Sequence, residues 1–210
     1  ETVANASAAL SEFSKTLDGI NKGEGSLGKL AKDEAFYIAD GHHRSAASTL
    51  LYKDNPEGKF LSYILPDNQL KILPFHRLVT MKKEMGKYGI LGQIEKDFHI
   101  LACDAPVIPT EKGTMGLFLK DRWYELKYRE ERSEDVLLDV DLLEKKILKP
   151  CFDIQDSRTD ERLDYVAGDA DFDPNEYASR YDAVFTLYPA SFDSVKYIAD
   201  ANKTMPPKST

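Results

Sequence analysis

The stretch Phe36-Tyr37-Ile38-Ala39-Asp40-Gly41-His42-His43-Arg44 passes from apolar residues to a polar turn. Its first four residues are typical of a short buried strand, and the Asp-Gly pair turns the chain. From His43 to Lys53, alanines and leucines at positions 46, 47, 50 and 51 fall on one side of a predicted helix. The stretch therefore predicts a strand, a turn and a helix, the unit from which α/β folds are built.

The predicted junction between this strand and this helix has the residues of an anion site. The first N–H groups of a helix have no partner within it and carry positive potential, which favours phosphate. Gly41 lets the backbone approach a ligand closely, and Arg44 could hold a phosphate through two parallel hydrogen bonds. His42 or His43 could act as catalytic acid or base, because histidine titrates near neutral pH. Asp40 could orient a histidine, bind Mg²⁺ or cap the helix.

A purely structural interpretation explains only part of this turn. Asp40 would cap the helix and Gly41 would turn the chain. Two adjacent histidines and an arginine would remain unexplained in a chain that has four histidines in all. Neighbouring histidines point to different sides of a helix, so they could not share a metal ion without a further ligand. Asp40 is therefore the predicted metal ligand, for Mg²⁺.

Downstream of the turn the sequence alternates predicted strands and helices. Strands are expected at 60–65, 70–73, 116–120, 123–128, 163–167 and 183–188, with a hairpin joining the first two and another joining the next two. Helices are expected at 88–97, 140–148, 174–180 and 192–199, and Pro150 is expected to end the second of them. We therefore expect an α/β or α+β fold, with a mixed sheet and flanking helices.

Three more residues are candidates for binding phosphate. His76 and Arg77 lie where a strand is expected to end, and they either face the same cleft as the turn or form a surface pair. Lys208 follows two prolines, and it either reaches phosphate or lies in a frayed chain end. The prediction is that Arg44, His43 and His76 surround one cleft, with Arg44 as the phosphate anchor.

Composition places the chain among globular proteins, because 42% of its 210 residues are hydrophobic and 30% are charged. The net charge of −8 argues against non-specific binding of nucleic acid, which needs a basic surface. Two cysteines are too few for a disulfide framework or a zinc site. The absence of a long apolar run and of a signal peptide predicts a cytoplasmic protein. The chain starts at Glu1 without a methionine, which is typical of a fragment of a longer protein.

Residues 1 to 34 are predicted to be a helical extension, separate from an α/β domain at 35 to 210. Their apolar residues follow a heptad rhythm, typical of a helix that packs along a seam. They are Val3, Ala6, Leu10, Phe13, Leu17 and Ile20. Gly23 and Gly25 are expected to end this helix. Such a helix could join copies of the chain in a homo-oligomer.

Four blocks of the sequence, in order, resemble the domain-of-unknown-function 1015 family of bacteria and archaea. The blocks are Tyr37–Ala47, Ile72–Val79, Asp160–Val166 and Met205–Thr210. The resemblance covers residues 35 to 210, the C-terminal half of a typical member. The half that precedes the histidine motif in that family is absent, and the site would be incomplete if that half contributes to it.

The histidine motif carries what this resemblance implies about function. The motif resembles the phosphate-gripping turn of the ParB and sulfiredoxin group, in which the turn opens a helix onto nucleotide phosphates. Some members of that group are free-serine kinases. His42 stands where sulfiredoxins have their cysteine, so sulfiredoxin chemistry is not expected. Nucleotide or phosphate binding is what the resemblance implies.

Residues 4 to 34 separately resemble the segment that follows the barrel in mammalian-cell-entry (MCE) lipid-transport proteins. The resemblance rests on the run Gly23-Glu24-Gly25-Ser26-Leu27-Gly28-Lys29-Leu30. It implies either a chimera joined near residues 33 to 36 or an accidental match in one of the two segments.

Taken together, these patterns favour a protein that binds ATP or ADP and transfers a phosphoryl group to a small hydroxyl substrate with Mg²⁺. Gly41 and Arg44 would hold the phosphates, Asp40 would bind the ion, and His42 or His43 would take the proton of the attacking hydroxyl. The alternative is non-enzymatic: a nucleotide-sensing module or an assembly segment associated with MCE-type lipid transport, which the heptad favours. No nucleic acid partner is expected.

Overall fold

The computed structural model of the chain describes residues 36–51, 53, 61–81, 86–130, 138–201, 203, 205, 206 and 208. The chain divides into two compact units, Glu1–His42 and His43–Thr210. The predicted boundary near residue 34 and the heptad residues lie outside the described part. No helix in that part is long and apolar enough to cross a membrane.

The second unit is built on a six-stranded sheet in the order β2-β4-β3-β6-β1-β5. Its strands are β1 (Phe75–Val79), β2 (Phe98–Cys103), β3 (Thr114–Leu119), β4 (Arg122–Tyr128), β5 (Leu163–Ala167) and β6 (Ala183–Leu187). The α/β fold class is confirmed. Every pairing between these strands is antiparallel, so the expectation of a mixed sheet is corrected in this detail.

Helices flank the sheet at short intervals along the chain. They are α1 (His42–Leu51), α2 (Lys87–Ile94), α3 (Asp139–Leu143), α4 (Lys149–Phe152), α5 (Pro174–Ala178) and α6 (Phe192–Asp200). A π-helical segment, Glu144–Leu148, joins α3 to α4 without a break. Pro150 was expected to end this helix, but the helix continues to Phe152. The wider π turn, in which the Lys149 N–H donates to Glu144 O, precedes a residue that has no N–H to donate.

Both faces of the sheet are buried, since the larger apolar cluster covers one face and a smaller cluster around Leu78, Trp123 and Val184 covers the other. All five residues of β6, a central strand, are therefore buried. Close packing reaches the backbone at Gly116 of β3. A Cβ there would collide with the Thr186 hydroxyl and the Val107 carbonyl, which form a hydrogen bond of 2.5 Å with each other.

The apolar run Phe36–Ala39 is not a strand, contrary to the sequence prediction. It has no regular secondary structure and pairs with no strand of the described part, and Phe36 and Ile38 are about half exposed, at 54% and 49%. A strand needs a partner as well as an apolar sequence, because its backbone groups must be bonded before they are buried. The sequence pattern supplies the apolar residues and says nothing of the partner.

The predicted hairpin at 60–65 and 70–73 is also wrong for the residues described. A short 3-10 turn, Asp67–Gln69, lies between two segments that have no regular secondary structure. Leu61 and Tyr63 are exposed, at 80% and 70%. The first strand of the sheet begins later, at Phe75. The other predicted strands and helices of this unit are confirmed to within a few residues.

Candidate functional site

The turn before α1 has the backbone geometry of an anion site. Gly41 has a φ of 81°, a left-handed conformation that glycine adopts without steric cost. Helix α1 begins at the next residue, His42. The prediction that a helix starts within a residue or two of His43 is therefore confirmed. A helix that starts here leaves its first N–H groups without partners inside the helix.

The side chains of this turn are described only in part. Those of Asp40 and Arg44 are exposed. The side chains of His42 and His43 lie outside the described residues. The boundary between the two compact units also falls between these histidines.

His76 lies in the interior of the sheet and not at a strand end or on a surface turn. It is 2% exposed, and its Nδ1 accepts the backbone N–H of Leu187 at 3.1 Å. Burial, with a contribution from the neighbouring Arg77 charge, lowers the pKa of His76 to about 4. The ring is therefore neutral at pH 7 and carries its proton on Nε2. It also packs on Phe172 with 4.2 Å between ring centroids. His76 thus replaces a backbone acceptor at the end of β6.

Arg77, the next residue of β1, points to the opposite face and is fully buried. Its guanidinium donates to the carbonyls of Phe75 at 2.5 Å and Lys208 at 3.0 Å, and it lies 4.7 Å from the centre of the Tyr165 ring. Burial lowers the pKa of Arg77 to about 10, while the Tyr165 and Glu144 side chains oppose this shift. Arg77 therefore remains a cation at neutral pH.

Arg77 lies at a cleft that also contains the predicted residue Lys208. We call it the basic cleft and define it by Phe75, Arg77, Lys112, Asp139, Tyr188 and Lys208, which line it together with other, mainly apolar, residues. Sequence reasoning proposed Arg77 and Lys208 but missed Lys112 and Asp139. Lys112 lies between Glu111 and Gly113 in a connection without any motif, so no local signal marks it.

The predicted site residues are thus brought together only in part. Arg77 and Lys208 share the basic cleft, whereas neither His76 nor Arg44 is among the residues that line it. Asp40 was the candidate ligand for Mg²⁺. The described residues contain no group of three His, Cys, Asp or Glu side chains that could hold a metal ion by themselves.

Comparison with known proteins gives one family. A family model described as "Protein of unknown function (DUF1015)" matches residues 3–147. The match includes all of residues 4–34, the segment whose separate resemblance had suggested a chimera. No curated protein matches the sequence.

Solved structures give weaker similarities. A conserved hypothetical protein from Pyrococcus furiosus has a TM-score of 0.46 and 14% identity, over 82% of this chain and 67% of that protein. A free serine kinase mutant in complex with AMP has a TM-score of 0.46 and 16% identity, over 82% of this chain and 65% of the kinase. The same kinase mutant in complex with ADP has a TM-score of 0.45 and 16% identity, over 82% of this chain and 65% of the kinase. The chain thus spans about two thirds of these proteins, and similarities of this size assign no activity.

Proposed function

The chain belongs to the DUF1015 family of proteins of unknown function. On that premise we propose that it binds a nucleotide through the phosphate groups, at the turn Asp40–Arg44. One observation carries the proposal: Gly41 has a positive φ immediately before the first residue of a helix. This geometry turns the chain sharply and leaves the N–H groups of the first helical turn available to phosphate oxygens.

Arg44 supplies the full charge that the helix end lacks. The partial positive charge at a helix N-terminus amounts to about half an elementary charge. A nucleotide carries several negative charges, and the chain has a net charge of −8, so general attraction does not help. Arg44 lies in the first turn of α1 with an exposed side chain. Its planar guanidinium can form two parallel hydrogen bonds with one phosphate.

Phosphoryl transfer to a small hydroxyl substrate is the finer part of the proposal, with ATP as donor and ADP as product. His42 or His43 would take the proton of the attacking hydroxyl, and Asp40 would orient that histidine. Mg²⁺ commonly accompanies such nucleotides. The described residues provide no complete donor set for it, so these assignments concern only the protein groups.

Nucleotide binding without transfer is the second candidate. It is favoured by the position of His76, which the sequence placed beside the turn and which is instead a neutral, buried hydrogen-bond acceptor. An assay for ADP formed from ATP, with and without candidate hydroxyl compounds, separates the two: formation that depends on a hydroxyl compound indicates transfer. The MCE-associated assembly role is a weaker alternative, since the family match extends over all of residues 4–34.

Calorimetric titration with ATP, ADP and pyrophosphate tests the site. Arg44→Lys keeps the charge but loses the fork, so binding should weaken. Arg44→Ala should weaken it further, by about 1.5–3 kcal/mol, the size of a hydrogen bond to a charged group. Arg180→Ala is the matched control, because Arg180 forms an exposed ion pair with Glu176 on α5. Equal binding by all four proteins would show that Arg44 is not an anchor.

A further inference from the structure

We propose that the basic cleft binds the phosphate or carboxylate group of a small organic molecule that also has an apolar or aromatic part. The defining residues all belong to the second compact unit, from His43 onward. The inference therefore does not rest on phosphate binding by the Asp40–Arg44 turn. It assigns the chain a second binding site.

The lining of the basic cleft is positively charged. Among the described residues that line the cleft, Arg77, Lys112 and Lys208 are three cations against one carboxylate, Asp139, which is a net charge of +2 for this set. The whole chain has a net charge of −8. Such a local reversal of sign in a concave surface concentrates anions there, because low-dielectric walls focus the field.

The pairing of the lysines is the second argument. Four lysines elsewhere form salt bridges with carboxylates: Lys87, Lys127, Lys146 and Lys196. Within the part of the chain that the structure describes, neither Lys112 nor Lys208 has a carboxylate partner. The Lys208 ammonium lies 5.5 Å from the centre of the Phe75 ring. Either ammonium group could therefore bind an anion without first breaking a salt bridge with a described carboxylate.

The contacts of Lys112 show how an anion could be held. Its ammonium lies 3.4 Å from the Ser191 hydroxyl and 3.3 Å from the Ser194 hydroxyl, long distances for hydrogen bonds to neutral acceptors. Ser191 caps the N-terminus of α6, where its hydroxyl accepts the N–H of Ser194 at 3.2 Å. A bound anion would give Lys112 a charged acceptor near a helix end that also favours negative charge.

The fixed groups of the cleft are already oriented. Arg77 is held by two carbonyls and the Tyr165 ring, so its charge is positioned without any further loss of side-chain freedom. Asp139 accepts the N–H of Gly113 at 3.0 Å and so is bonded into the wall of the cleft. Phe75 contributes an aromatic surface beside the cations. A ligand that matches this lining has an anionic end and an apolar body.

Calorimetry with phenyl phosphate, benzoate and inorganic phosphate tests this inference on the full chain. Lys112→Gln and Lys208→Gln should each weaken binding of phenyl phosphate about tenfold, as expected when one charge-assisted contact of about 1.4 kcal/mol is lost. Lys96→Gln is the matched control, since Lys96 also donates to a neutral acceptor, Gln93, but lies outside the cleft. Thermal unfolding of each variant verifies that it is folded.

The three probes test the anionic group and the apolar part of the ligand separately. Tighter binding of phenyl phosphate than of benzoate assigns a phosphate ligand, and the reverse assigns a carboxylate. Equal affinity for inorganic phosphate and phenyl phosphate would overturn the apolar part of the inference. The whole inference fails if wild type binds no probe at millimolar concentration, or if Lys112→Gln and Lys208→Gln bind like Lys96→Gln.

Arg44→Ala separates this inference from the proposed function. It should leave the binding of phenyl phosphate unchanged while weakening that of nucleotides. Loss of phenyl phosphate binding in this variant would overturn the cleft as an independent site and leave the turn standing. If Arg44→Ala binds both phenyl phosphate and nucleotides like wild type, the cleft remains an independent site and the proposed phosphate site at the turn is overturned.

Discussion

At the scale of single residues, burial decides what His76 can do. A histidine on the surface would be a candidate acid, base or phosphate ligand. His76 is closed off from solvent and accepts a backbone N–H at a sheet position where β6 has no further backbone partner on β1. The protonated ring could not accept that hydrogen bond, because both nitrogens would be donors.

The stability of the protein should therefore depend on pH through His76. The folded pKa is about 4 against an ordinary value of 6.5, so the unfolded chain takes up the proton more readily. This contribution is fully present above pH 6.5 and is lost as the pH falls towards 4. We expect a loss of about 2 kcal/mol in the free energy of unfolding between about pH 7 and pH 5.

Urea unfolding at a series of pH values measures this effect. His76→Asn provides the comparison, because its amide oxygen can accept the Leu187 N–H and does not titrate. The variant is expected to be less stable at neutral pH, since it lacks the packing on Phe172, but its stability should change less over the same interval. Parallel curves for the two proteins would contradict the assignment.

The residues of the two proposed sites differ in how far sequence could predict them. Gly41 and the start of α1 follow from an Asp-Gly pair and an alanine-rich face, which act over a few residues. The basic cleft depends on Lys112, in the connection between β2 and β3, and on Asp139, the first residue of α3, which come together beside β1 only in the folded chain. Nothing in the sequence around either residue encodes that meeting, so only the tertiary fold could show it.

At the scale of the element, Arg162 connects the end of α4 to the start of β5. Its guanidinium donates to the carbonyls of Phe152, the last residue of the helix, at 2.9 Å and of Asp153, the residue after it, at 2.8 Å. It also forms two hydrogen bonds with the Asp160 carboxylate, at 2.9 and 2.6 Å. Asp153 has a φ of 53°, the left-handed conformation in which helices commonly end.

Arg162→Lys should therefore destabilise the protein although it conserves charge. A lysine cannot reach two carbonyls and a carboxylate with a planar fork. We expect a loss of about 1–3 kcal/mol in the free energy of unfolding, as for hydrogen bonds to charged groups in a partly buried setting. Arg180→Ala, which removes an exposed ion pair, should change it by less than about 1 kcal/mol. Equal effects of the two variants in urea unfolding would show that Arg162 does not secure the helix end.

Helices and hairpins whose sequence signals lie within a few residues were predicted well. Strands that need a partner distant in the sequence were not. The β3–β4 hairpin follows from two runs rich in apolar residues on either side of a short polar turn. The segment 36–39 and the predicted hairpin at 60–73 have equally apolar residues, but in the described part no neighbouring strand pairs with them. β1 itself was missed, because its central residues, His76 and Arg77, are polar and read as a surface pair.

At the scale of the whole molecule, the division of the chain into two compact units bears on the predicted N-terminal extension. Deleting residues 1 to 34 should leave the thermal unfolding midpoint of the remainder nearly unchanged, because the described strands and the described members of both apolar clusters all come after His43. Differential scanning calorimetry of both forms measures this. A fall of several degrees would show that Leu10, Phe13 and Leu17 contribute to the core.

The order of the strands has a consequence for synthesis on the ribosome. Strand β1 emerges first, but its two neighbours in the sheet are β5 and β6, the last strands to be translated. The β3–β4 hairpin and β2 can pair early, whereas the nascent β1 has no partner for most of elongation. Pairing over such sequence distances is slow and leaves a strand open to wrong associations meanwhile. The chain should therefore depend on chaperones or slow translation more than its modest length suggests.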